Sequence, residues 1–144
     1  MSDPLQAIKS HFQNKDLFAA AADIRLLELR SGFARASMTL GDKHINSLGI
    51  VHGGAVFTLA DLAFGAAANS AGRVAVAIDT NISFLKATRT GTLHAEAVEI
   101  SRTRRLSVCT VRITDDAGEP VALFQGTAYI KEESLLPAVS DPDA

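Results

Sequence analysis

Asp61 is the only acidic or basic side chain between Lys43 and Arg73, setting aside the imidazoles of His44 and His52. It lies in a segment whose apolar residues Val56, Leu59, Ala60, Ala63 and Ala67 recur at helical spacing. A helix apolar nearly all round is expected to be buried. A lone carboxylate on such a helix must be satisfied by partners, be neutral, or serve chemistry. At the start of the segment stand Gly53 and Gly54. Glycines let another group approach the backbone closely, and the free N–H groups of a helix N-terminus then face that group. A cluster of donors at one end of a helix and an acid further along it together suggest an active site.

These residues need a scaffold, and the rest of the chain reads as one. The 144 residues fit a single domain with one core, and neither an internal repeat nor a domain boundary is visible. Residues 4–21 read as helical with a break near Asn14. Strands are expected over 24–30 and 33–40, and a loop over 41–51 leads to the central helix. A strand starts near Arg73, with Val74, Val76, Ile78, Ile82 and Phe84 on one face and Ala77, Asp79, Asn81 and Ser83 on the other. Three more strands follow at about 92–101, 105–114 and 120–130, and the tail after Lys131 reads as disordered. The resulting order β-β-α-β-β-β-β gives an α+β fold, one long helix wrapped by an antiparallel sheet of about six strands.

Composition excludes other classes. A net charge of −2 gives no reason to expect nucleic acid or an anionic membrane as partner. No apolar run is long enough to span a bilayer, and the N-terminus lacks the pattern of a secretory signal. The single cysteine, Cys109, suits a reducing compartment, so a cytoplasmic location is expected. His11, His44 and His94 show no metal-ligand spacing, and no metal or organic cofactor is expected.

The stretch Asn46-x-x-Gly49-x-x-His52-Gly53-Gly54, followed by Leu59-Ala60-Asp61, resembles the signature of the hotdog-fold acyl-CoA thioesterases of the phenylacetyl-CoA (PaaI) type. The likeness extends to Ala68-Asn69-Ser70, to Asp79 through Lys86 and to Val121 through Thr127, covering roughly residues 17–131. It implies hydrolysis of aryl-acetyl or medium-chain acyl-CoA thioesters. The Gly53 N–H would hold the oxyanion, and Asp61 would act as general base or as nucleophile. Asn46 would position the carboxylate, water or thioester, His52 would brace the loop–helix junction, and Gly54 would keep the approach open. Phe57, Phe64, Gly65 and Ala68 would line the acyl pocket. Asn81 and Ser83 would reach substrate, and Lys86, Arg89, Arg102 and Arg104 would meet the CoA phosphates.

At Ala77 several relatives carry a hydroxyl that places the water. Of the nearby hydroxyls, strand alternation puts only Ser83 on the Ala77 face. Gly53 and Asp61 are eight positions apart, about 12 Å along one helix, whereas reacting groups must lie within about 3–3.5 Å. One chain therefore cannot bring both to one carbonyl. The site is expected across a two-fold interface, in a homodimer or a homotetramer built from dimers. A hydratase or dehydratase on the same fold, and a non-catalytic acyl-CoA sensor, are the alternatives.

Overall fold

The computed structural model describes residues 3–136. Two short helices, α1 (Pro4–Lys15) and α2 (Leu17–Ala21), precede strands β1 (Ile24–Arg30) and β2 (Phe33–Thr39). The long helix α3 (Gly53–Ala68) follows, then β3 (Arg73–Phe84), β4 (Thr92–Arg102), β5 (Leu106–Thr114) and β6 (Pro120–Ser134). The six strands form one antiparallel sheet in the order β1-β2-β4-β5-β6-β3. The break between the first two helices falls at Asp16, which ends α1 and caps α2 by accepting from the Ala19 N–H.

α3 lies across one face of the sheet. Its Leu59, Ala60, Ala63, Phe64 and Ala67 are buried, as are Ala36, Ala95, Val111 and Phe124 on the inward face of the strands. The small alanines on both layers allow the helix to sit close. At the middle of β6 no side chain fits at all. A Cβ on Gly126 would stand 2.8 Å from Cζ of Phe64, so the Phe64 ring occupies the space a larger residue would take.

The strand pattern expected for β3 is broken by a bulge between Ala77 and Asp79. An inserted residue resets the alternation. Ala77 pairs with buried Ala128 and Thr80 with buried Gly126, so Thr80 shares the inward face with Ala77. Asp79, Asn81 and Ser83 pair with Thr127, Gln125 and exposed Leu123, on the outer face. The expectation that Ser83 is the hydroxyl sharing the Ala77 face is thereby reversed.

The last strand continues to Ser134, past the expected end near 130, because β3 pairs with it as far as Arg73–Ser134. The tail from 132 expected to be disordered is therefore strand at its start, and residues 137–144 lie outside the described residues. β3 itself is one edge of the sheet, a strand of 12 residues on which Val76, Ile78 and Phe84 are all exposed. Long apolar edges invite pairing with another strand.

Candidate active site

The start of α3 is built by His52. Its Nδ1 accepts from the Gly54 N–H at 2.8 Å, and its carbonyl accepts from the Ala55 N–H at 2.9 Å and the Val56 N–H at 3.2 Å. An imidazole that accepts at Nδ1 carries its proton on Nε2. His52 is in turn held by its own N–H, which donates to the His44 carbonyl. The capping thus uses the helix's early donors but one: among the described residues, the Gly53 N–H has no acceptor. Both glycines stand against a neighbouring ring. A Cβ on Gly54 would come within 3.0 Å of His52 Nδ1, and one on Gly53 within 3.1 Å of Phe84 Cζ.

Asn46 stands beside this end. Its Oδ1 accepts from the Leu48 N–H at 2.9 Å and the Ile50 N–H at 3.3 Å, which folds the loop ahead of the helix. Its Nδ2 finds no protein acceptor among the described residues. Asn46 and Gly53 line one hollow of about 360 Å³ together with Val56, Phe84 and Lys86. Two unengaged donors therefore open on a single apolar-walled space, which is the arrangement that holds a developing oxyanion.

Asp61 lies elsewhere. The expectation of a carboxylate on a wholly buried helix is corrected. Gly54, Thr58, Asp61 and Gly65 form a strip of α3 that the sheet does not cover, and Asp61 is exposed in the single chain. Its flanks are crowded nonetheless. It borders a second hollow of about 310 Å³ with His11, Phe12 and Asp16 of the N-terminal helices and Val76 and Ala77 of β3. Loss of water around the carboxyl raises its pKa above the usual carboxylate range, and the nearby Asp16 charge raises it further. Gly53 and Asp61 thus serve two separate hollows, as their spacing on α3 requires.

The other expected substrate contacts divide. Phe57 is half-buried and stands edge-on to Phe124 with ring centroids 5.6 Å apart. Gly65 borders the Asp61 hollow. Phe64 and Ala68 also border it but are core residues at 1% and 0% exposure, so they form its floor and not a yielding surface. Asn81 and Ser83 face outward from β3, away from α3.

The basic residues are mostly engaged within the chain. Lys86, at the Gly53 hollow, pairs with Asp115 at 2.7 Å and with Glu119, and the Asp115 contact is the main cause that raises its pKa. Arg89 donates to the Gly49 carbonyl at 3.2 Å. Arg102 donates to Glu99 at 2.9 Å and to the Ala68 carbonyl at 3.3 Å, tying down the C-terminus of α3, where a cation is favoured. Arg104 is the most exposed of them, its side chain 79% accessible and paired only loosely with Glu132 at 3.9 Å. Sequence reasoning missed His11, Phe12 and Asp16 beside Asp61. Helical periodicity gave their element but not the neighbour it meets.

Residues 48–122 match the model of the thioesterase superfamily. This chain belongs to that family. It is similar to the acyl-coenzyme A thioesterase PaaI of Escherichia coli, with 36% identity over 115 residues, 79% of this chain and 82% of the relative. The solved structure of that PaaI protein superposes with a TM-score of 0.87, covering 91% of this chain and 96% of its own. An Archaeoglobus fulgidus protein provisionally assigned as an esterase is 34% identical over 137 residues, 94% of this chain and 89% of the relative. A Streptococcus mutans protein solved with acetyl-CoA bound has a TM-score of 0.74 at 26% identity, covering 77% of this chain and 90% of its own. The PaaI-type hotdog fold read from the motif is the observed fold, and the chain is a member of the thioesterase superfamily.

Proposed function

We propose that this thioesterase hydrolyses acyl-CoA at a site shared by two subunits, with Gly53 and Asn46 from one and Asp61 from the other. The observation that carries the reading is the pair of half-sites. One hollow has the Gly53 N–H and the Asn46 amide and no acid, and the other has Asp61 and Asp16 and neither of those donors. β3 runs between them, with Phe84 at the first and Val76 and Ala77 at the second. Antiparallel pairing of this edge with its symmetry mate about Thr80 would set Phe84 beside the partner subunit's Val76 and close both hollows into two complete sites. The acetyl-CoA held by the Streptococcus mutans neighbour supports a CoA ester as the substrate.

In this reading Asp61 takes a proton from water as the water oxygen bonds to the thioester carbon. The partner subunit's Gly53 N–H stabilises the oxyanion. Collapse of the tetrahedral intermediate breaks the carbon–sulfur bond, and the CoA thiolate recovers the proton from Asp61. A raised pKa makes the carboxylate a better base. Free CoA thiol should appear when the protein meets a small panel of acyl-CoA esters, read with a thiol reagent. Saturable binding without release would leave a sensor in place of an enzyme, and a change in enoyl absorbance would indicate a hydratase.

Asp16 gives a charge test of the base. The ionised form of Asp61 is the active one, so the acid limb of the kcat/KM profile should lie above the usual carboxylate range. Asp16→Asn keeps an N-cap for α2 and removes the negative charge. The limb should then move to lower pH, without reaching the ordinary carboxylate value, since desolvation remains the larger cause. A limb that stays in place would show that Asp61 does not set it.

A further inference from the structure

We propose that α1 is the end wall of the acyl pocket, and that Phe12, set against Gly65, limits the acyl group to short or single-ring forms. This rests on the thioesterase reading and adds the class of acyl group. The hollow beside Asp61 is the space next to the attacking water, and about 310 Å³ is near the lower end for small-molecule pockets. Its inner walls are small: Gly65, Ala68, Ala75, Ala77 and Ala128. Small residues leave room, so something else must end the cavity, and on the N-terminal side that is Phe12. A Cβ placed on Gly65 would meet Phe12 Cε1 at 3.6 Å, so the ring reaches the bare backbone of α3.

The wall is fixed in place. Asp3 caps α1 through the Leu5 N–H at 3.0 Å, Ile8 is 2% exposed, and Gln13 Oε1 accepts from the Leu26 N–H of β1 at 2.9 Å.

The test compares kcat/KM for butanoyl-, hexanoyl-, decanoyl- and phenylacetyl-CoA in the wild type, in Phe12→Ala and in Gly65→Ala. The wild type should favour butanoyl and phenylacetyl esters over decanoyl. Each methylene given a buried place is worth roughly fourfold. Opening the wall with Phe12→Ala should therefore raise the decanoyl-to-butanoyl ratio by about 15–60-fold, enough for two to three methylenes. Gly65→Ala narrows the same gap at an ordinary contact distance and should lower the ratio several-fold. If Phe12→Ala does not fold, Gly65→Ala carries the test alone. Ratios within twofold of wild type in the variants that fold, or a wild type that prefers decanoyl-CoA, would overturn the wall. A wild type that releases no thiol from any of the four esters would overturn the catalytic reading and the wall with it.

Discussion

Asp61→Ala is expected to lower kcat by about 10²–10⁴, the usual worth of a positioned proton acceptor. The fold should be little affected. Asp61 lies on the uncovered strip of α3 and makes no hydrogen bond within the chain among the described residues, so its removal leaves neither a core cavity nor an orphaned partner. Alanine also suits a helix interior better than aspartate does. Asp61→Asn should fall by a similar factor, because the amide keeps the shape and cannot accept the proton. Circular dichroism and melting measurements check that the variants are folded, and thiol release measures the loss. Turnover within tenfold of wild type in a folded variant would remove Asp61 from the chemistry.

The second large effect is complementation between two broken subunits. Gly53→Pro deletes the N–H that His52 leaves unengaged. The backbone accepts it. Proline suits the first turn of a helix, and His52, at φ −65° and ψ 132°, already has the conformation preferred before proline. The added carbon presses on the Phe84 ring, which is 56% exposed in the single chain and has room to turn. Gly53→Ala adds a similar crowding carbon but keeps the N–H, so it should retain far more activity than Gly53→Pro. Homodimers of Gly53→Pro and of Asp61→Ala should each be nearly inactive. A mixed dimer holds one doubly damaged site and one intact site. Random exchange makes about half of the dimers mixed, so roughly a quarter of wild-type activity should return. A mixture shown to exchange subunits that stays as inactive as its parents would place both groups in one chain's own site.

The sequence carried the helix, the order of the strands and the separation of Gly53 from Asp61 along α3, because each follows from local periodicity or from a compact motif. It failed at β3. The bulge at Ala77–Asp79 adds one residue to one strand, and a two-residue period cannot register that, so Ser83 and Thr80 exchanged faces. It also misjudged residues whose fate is set at a distance. Lys86 meets acids near the β5–β6 turn, and Arg102 meets the end of α3, so side chains read as free cations are engaged within the fold. Phe64 borders the Asp61 hollow, and the bare backbone of Gly126, 62 positions further along, seats its ring in the core as well. Asn46 divides its amide: its oxygen serves the loop while its nitrogen has no protein acceptor among the described residues.

The unpaired edge of β3 bears on how this protein should be handled. If its exposed Val76, Ile78 and Phe84 are covered only by a second chain, the native state is bimolecular. Its melting temperature should climb as the solution is concentrated, and specific activity should fall on dilution as association is lost. A polar substitution at Ile78, 60% exposed in the lone chain and outside the lining of both hollows, should then act as a dissociating lesion. Stability and catalysis would fail together, although no group near the scissile bond had been altered.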